Sequence, residues 1–252
     1  KFKSNKTFVI KTKDTRLLLS EVASKFYNLK PKNIFAVTGT NGKTSVADIF
    51  FQIIRNNNLP AATIGTLGIK YNNKIIKSHL TSPDTITVHK ILSFLKKQKI
   101  NNVIIEASSH GLDQKRLHHI NFKGGIFTNF SQDHLDYHKT MRSYFKSKMR
   151  LFGQILSKQK VIISDKSIKE FSVLKKISKK RKLRLIDITL IKEKIKEIEN
   201  LNLNEFQIKN LSMAITAAKL CNLNEKKIFN SLKKIKGVVG RLELVRTFPN
   251  NI

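Results

Sequence analysis

The sequence predicts an α/β fold, a mostly parallel sheet with helices on both faces and a phosphate-binding loop after its first strand. Two patterns point there. Short runs rich in β-branched and apolar residues alternate with segments of helical period, the signature of strands joined by helical crossovers. A glycine-rich turn sits between the first strand-like run and the first strong helical pattern. With 252 residues, 40% of them hydrophobic, the chain has enough apolar material for a substantial core.

Taken in order, strands are expected over 34–38, 62–66, 103–107, 125–128, 161–164 and 183–186, each a short apolar run bounded by turn residues. Helices are expected between them over 44–56, 85–97, 141–152 and 167–178, where apolar residues recur at three- and four-residue spacing. Tyr71-Asn72-Asn73-Lys74 has the chemistry of a hairpin turn, so a β-ribbon should follow the second strand. After Leu190 the composition changes, and 192–204 is polar and charged. Two further helices, 207–221 and 224–235, precede a closing stretch over 237–241. No internal repeat is visible.

The formal charge is +32. A polyanion partner is one reading of it. Lysine greatly outnumbers arginine, however, and arginine is the residue suited to bidentate phosphate and base contacts. The densest run, Lys175-Lys176-Ile177-Ser178-Lys179-Lys180-Arg181-Lys182, has no interleaved aromatic for base stacking and reads as the solvated end of a helix. Neither nucleic acid nor membrane is expected as a partner. The single cysteine, Cys221, excludes an internal disulfide and fits a reducing, cytoplasmic setting. No segment has the run of about 18 apolar residues that a membrane helix needs.

The residues over 34–38 run into Gly39-Thr40-Asn41-Gly42-Lys43-Thr44-Ser45 and then into a helix. Glycines let backbone amides approach phosphate oxygens, and the helix start contributes partial positive charge. Lys43 is placed to neutralise the β/γ oxygens, and the hydroxyl of Thr44 or Ser45 to reach Mg²⁺. The longer general motif would have glycine where Val37 stands, so this is a shortened variant.

Two constellations follow predicted strands, at the strand ends where open α/β sheets bind ligands. One is Glu106-Ala107-Ser108-Ser109-His110-Gly111-Leu112-Asp113-Gln114. The other is Thr128-Asn129-Phe130-Ser131-Gln132-Asp133-His134-Leu135-Asp136-Tyr137-His138. Glu106 is a hard oxygen donor suited to Mg²⁺, whereas His134 would need an anionic companion in such a site. His134 and His138 lack the further ligands of a zinc site. His118 and His119 are expected on a solvated surface or turn. Lys148, read alone, is a helix lysine reaching water.

These motifs, with Tyr144, Phe145, Lys148, Leu151 and Phe152, resemble the Mur ligases across residues 33–241, most closely those that add the third amino acid. The resemblance implies a central ATP-binding domain over 31–241, flanked by the tail of a substrate domain (1–30) and the start of another domain (242–252). It implies an ATP- and Mg²⁺-dependent ligase that joins a free amino acid to UDP-N-acetylmuramoyl-dipeptide, for peptidoglycan, through an acyl phosphate.

For individual residues the resemblance assigns catalytic roles to Lys43, His134 and Lys148, the last as a carbamate. It assigns metal contacts to Thr44, Glu106, His134 and Lys148. Gly39, Thr40, Asn41, Gly42, Lys43, Thr44, Ser45, Asn210 and Arg241 would bind nucleotide, and Thr81, Ser82, Ser108, Gln114 and Arg116 the muramoyl peptide. Ser82 stands where the family often has a second threonine. Ser82 or Asp84 also reads as a helix cap. The chain begins with Lys1 and reads as a piece of something longer, expected to bind nucleotide but turn over poorly by itself. The alternatives are a folylpolyglutamate synthase-like ligase and, from another class, a basic nucleic-acid-binding module. Which amino acid is added, and the oligomeric state, are left open by the sequence.

Overall fold

The structure is a computed structural model and describes residues 10–198 and 203–237. An eight-stranded sheet runs in the order β4-β3-β2-β5-β1-β6-β7-β8. Its strands are β1 (Asn33–Thr38), β2 (Ala61–Gly65), β3 (Gly68–Tyr71), β4 (Lys74–Ile76), β5 (Asn102–Glu106), β6 (Gly124–Phe127), β7 (Val161–Ser164) and β8 (Arg184–Asp187). From β2 through β8 the neighbours are parallel, and only the β2–β3–β4 ribbon is antiparallel. The ribbon turns at Asn72, whose φ of 49° suits the tight turn read from the sequence.

The helices are α1 (Thr15–Phe26), α2 (Lys43–Asn56), α3 (Thr85–Lys97), α4 (Ser109–Asp113), α5 (Leu135–His138), α6 (Met141–Arg150), α7 (Phe171–Arg181), α8 (Thr189–Lys196), α9 (Glu205–Lys219) and α10 (Glu225–Ser231). A π-turn (Leu151–Ile155) extends α6, and a 3₁₀ turn (Leu232–Lys234) follows α10.

Because successive strand side chains point to opposite faces, β1 feeds two cores at once. Phe35 and Val37 pack with residues of α2, α8, α9 and α10 on one face. Ile34 and Ala36 pack with residues of α3, α7 and the π-turn on the other. All six β1 residues are buried, as expected of a central parallel strand. Each fully buried Ile or Leu contributes about 1.5–3 kcal/mol to such cores.

Caps explain several boundaries. Asp84 accepts the Thr87 N–H at 3.0 Å and starts α3, so it, and not Ser82, is the helix cap. Asn204 and Gln207 form a reciprocal capping box that starts α9. Lys182, at φ 54°, ends α7 in the left-handed region. Lys175, Lys176, Lys179, Lys180 and Lys182 are exposed while Ser178 turns inward, so the lysine run is a solvated face.

Some expectations need correction. α7 starts at Phe171 and not at 167, because the Asp165 carboxylate accepts the Ser167 N–H at 2.9 Å and holds the preceding residues in a turn. The polar stretch after Leu190 contains the end of α8, whose Ile191 and Ile195, one helical turn apart, are both buried. α1 had no counterpart in the sequence reading. His118 lies in a turn, one of its two expected settings, but is half-buried there, since α1 lies over it and the Ser20 hydroxyl donates to its carbonyl at 2.7 Å. His119 is exposed. Among the described residues no helix is long and apolar enough to cross a membrane.

Candidate functional site

At the C-terminal ends of β1, β2, β5 and β6 the connecting segments enclose a cleft of about 780 Å³. This is the edge where strand order reverses about β1, since its parallel neighbours β5 and β6 flank it on opposite sides.

The phosphate loop forms one wall. Gly42 caps α2 at φ 85°, a conformation that favours glycine, and a Cβ there would lie 2.5 Å from Asn210 Oδ1. The loop is braced by the segment after β6. Thr40 N–H donates to the Asn129 carbonyl at 3.0 Å, and Asn41 N–H to Asn129 Oδ1 at 3.0 Å. Thr128 Oγ1 donates to the Asn41 carbonyl at 2.6 Å, and Ser131 N–H to Thr40 Oγ1 at 3.0 Å. Lys43 folds back so that Nζ donates to the carbonyls of Gly39 (3.0 Å) and Thr40 (2.6 Å).

Glu106, at the end of β5 and 2% exposed, is the carboxylate at the cleft floor. It accepts from Thr44 Oγ1 at 2.9 Å, from Thr66 N–H at 2.9 Å and from Thr66 Oγ1 at 3.1 Å. Gly65 makes room for it, since a Cβ there would come within 2.1 Å of Glu106 Oε1. Thr66 Oγ1 also lies 3.3 Å from Thr81 Oγ1.

Lys148 enters from α6. Only 1% exposed, its Nζ donates to the Gly39 carbonyl at 2.7 Å and lies 4.4 Å over the Tyr144 ring. Burial, with the Lys43 charge adding to it and Asp133 opposing, pulls its pKa down to about 6. The amine is therefore held mainly neutral at pH 7 and available as a nucleophile, which a lysine in water is not.

His134 lines the same cleft from the start of α5, at φ 51°, with Nε2 3.4 Å from Asp133 Oδ2. Its ring packs edge-on against His110 and Tyr144, at 5.1 and 5.9 Å between centroids. Burial and the neighbouring His134 charge lower the pKa of His110. Among the described residues no cluster of three or more His, Cys, Asp or Glu side chains could hold a metal ion alone.

The cleft takes in Thr40, Asn41, Gly42, Lys43, Thr44, Ser45, Thr81, Glu106, Ser108, His134, Lys148 and Asn210. Gly39 lies beneath it, accepting from both lysines. Ser82, 1% exposed, has a structural part, its hydroxyl donating to the Glu106 carbonyl (2.7 Å) and meeting Ser108 Oγ at 3.0 Å. Gln114 and Arg116 are outside the cleft lining. Arg116 donates to the Ser82 carbonyl at 2.7 Å and to Gln114 Oε1 at 2.6 Å. Arg241 lies outside the described residues. The sequence reading passed over Gly65 and Thr66, although they end a parallel strand at the same sheet edge. It also passed over Leu203 and Phe206, which with Ile235 give the cleft an apolar lining, and over Gln207 beside them.

A parallel sheet with this loop and a buried carboxylate at its switch point defines a phosphate-loop α/β domain. Residues 37–232 match the Mur ligase middle domain, and the chain belongs to that family. It is 36% identical to the UDP-N-acetylmuramoyl-L-alanyl-D-glutamate–2,6-diaminopimelate ligase of Rhizobium meliloti, over 92% of this chain and 52% of the relative. The chain thus spans about half the length of the curated relatives it matches. A solved ligase of the same description superimposes with a TM-score of 0.75 at 24% identity, covering 92% of this chain and 52% of the other. The fold is shared with Mycobacterium tuberculosis folylpolyglutamate synthase complexed with ADP, at a TM-score of 0.69 and 15% identity over 93% of this chain and 64% of the other.

Proposed function

We propose that this chain is the nucleotide-binding core of an ATP-dependent ligase that adds the third amino acid to UDP-N-acetylmuramoyl-dipeptide. One observation carries the reading: Lys43, Glu106, His134 and Lys148, from four separate segments, line a single cleft. The names of the curated relatives support 2,6-diaminopimelate as the amino acid added.

Triphosphate would lie along the loop, with backbone amides and the α2 N-terminus facing its oxygens. Lys43 is bound to two loop carbonyls and is positioned to exchange them for β/γ oxygens. The apolar lining given by Leu203, Phe206 and Ile235 suits a purine base, with Asn210 beside the loop.

Mg²⁺ fits the donor set. Thr44 Oγ1 and Glu106 are hard oxygen donors already 2.9 Å apart, and His134 and Lys148 line the same space. Bound there, magnesium would neutralise charge developing on the transferred phosphoryl group. A carbamate on Lys148 would supply the anion that His134 requires as a companion, and its neutral amine suits carbon dioxide capture.

The dipeptide carboxylate would attack the γ-phosphorus in line, giving an acyl phosphate and ADP. The amine of the incoming amino acid would then attack the acyl carbon and expel phosphate. Thr81 and Ser108 would hold the muramoyl peptide, with Ser82, Gln114 and Arg116 holding that wall in place.

Titration of the chain with ATP and Mg²⁺ tests the core of the reading. Micromolar to millimolar binding, lost in Lys43→Ala, is expected; no binding by the folded chain overturns it. In the full-length protein, phosphate release should depend on UDP-N-acetylmuramoyl-dipeptide and not on folate.

A further inference from the structure

α2 begins at the phosphate loop, and roughly two and a half turns along it Gln52, outside the cleft lining, forms a side-chain clamp. Lys236 N–H donates to Gln52 Oε1 at 2.8 Å, and Gln52 Nε2 donates back to the Lys236 carbonyl at 3.1 Å. This is the reciprocal pair that two strand residues exchange, made here by one side chain. The carboxamide carries on one planar group both the acceptor and the donor that this pair needs.

The orientation of that amide is dictated from below. Gln52 Nε2 also donates to Asp48 Oδ2 at 2.7 Å, and Asp48 can only accept. A flipped amide would set Oε1 against the carboxylate. Asp48, 6% exposed, is held in turn by Lys70 of β3, whose Nζ lies 2.7 Å from Oδ1 and 4.6 Å over the Phe51 ring. Farther along, Asn57 Nδ2 donates to Ser231 Oγ at 3.2 Å. The segment hung on α2 in this way includes Leu232, Ile235, Lys236 and Gly237, all of which line the cleft.

We infer that Gln52 is a positioning residue for the nucleotide site, oriented by Asp48 and Lys70, and that it holds the 235–237 wall against the cleft opened by the phosphate loop. It touches no nucleotide and acts through the backbone of Lys236. The inference rests on the nucleotide reading proposed above.

Gln52→Met keeps the volume and helix preference of glutamine but removes both bonds. Two readouts are taken on the whole chain: affinity for ATP with Mg²⁺, and hydrogen exchange at the Lys236 amide without nucleotide. Affinity is expected to fall about tenfold and exchange at Lys236 to rise by at least about tenfold, for two lost hydrogen bonds of ordinary strength. Lys70→Met, on the ribbon, should weaken binding about threefold by freeing Asp48, and serves if Gln52→Met does not fold. A lowered melting temperature with unchanged affinity and unchanged exchange at Lys236 overturns the inference. If neither the wild type nor any variant binds nucleotide, the ligase reading fails by itself, and the exchange readout still decides whether the clamp exists.

Discussion

The Nζ of Lys148, 1% exposed, donates at 2.7 Å to the carbonyl of Gly39, the first residue of the phosphate loop. Gly39 accepts from Lys43 as well, at 3.0 Å, so one carbonyl gathers two amines beside the cleft. Such an arrangement disfavours charge on the more buried amine.

Lys148→Met should therefore stabilise the fold while removing the magnesium-dependent turnover proposed for the full-length protein. The unfolded lysine holds its proton up to about pH 10.5, the folded one only up to about 6, so the wild type gains stability as pH rises through that window. The variant lacks this slope. Its advantage should be largest near pH 6, on the order of several kcal/mol and roughly 10 °C or more in melting temperature, and should shrink toward pH 10. Thermal melts in carbon dioxide-free buffer check it; a variant less stable than wild type at pH 7 would mean that the amine is not desolvated.

Gly65→Ala should uncouple the Glu106 carboxylate from the magnesium proposed to bind beside it. Its Cβ would come 2.1 Å from Glu106 Oε1, and the neighbours there are buried, so Glu106 must shift. Overpacking of this kind costs about 1–3 kcal/mol. Magnesium titrations of nucleotide binding should show Gly65→Ala behaving like Glu106→Gln. Wild-type magnesium dependence in a folded Gly65→Ala would refute the role given to that carboxylate.

Acid should weaken the packing beneath α1. His89 is fully buried; burial, aided by the charge of Lys30, lowers its pKa to about 4, with the His118 backbone opposing. The unfolded residue binds a proton below about 6.5 and the folded one only near 4, so stability is lost as pH falls through that interval. Between pH 7 and 5 the loss from this residue is about 2 kcal/mol. Urea unfolding at the two pH values should show it in the wild type and show less in His89→Leu.

Asp165 ties three elements together. It follows β7, is fully buried, and lies 2.9 Å from Lys192 Nζ on α8 and 3.7 Å from Lys209 Nζ on α9. Asp165→Ala leaves Lys192 uncompensated, while Lys209 keeps Glu205 at 2.9 Å, and should cost about 3 kcal/mol. Adding Lys192→Met should recover part of that loss, and strictly additive effects in urea would argue against the pair.

Much of the framework was legible because its signals are local. Strand 161–164 and helix 85–97 were read with the observed boundaries, since an apolar run or an Asp84 cap needs no distant partner. Signals carried by contact were missed. α1 leaves Leu19, Val22 and Phe26 exposed, and its polar Ser20 is what reaches His118, so its pattern announces no core-facing helix. Gly65 and Thr66 carry no motif of their own, and their part is evident only with Glu106 beside them.

By itself the amino-acid sequence determined the alternation of strand and helix, the phosphate loop and the motifs that resemble the Mur ligases, because each depends on neighbours a few residues away. Only the tertiary structure decided that Lys148 is desolvated, that Glu106 is held by Thr44 and Thr66, and that Arg116 binds the Ser82 carbonyl and Gln114. Burial and hydrogen-bond partners belong to the packed sheet, where residues 109 positions apart, as Lys148 and Gly39 are, come within bonding distance.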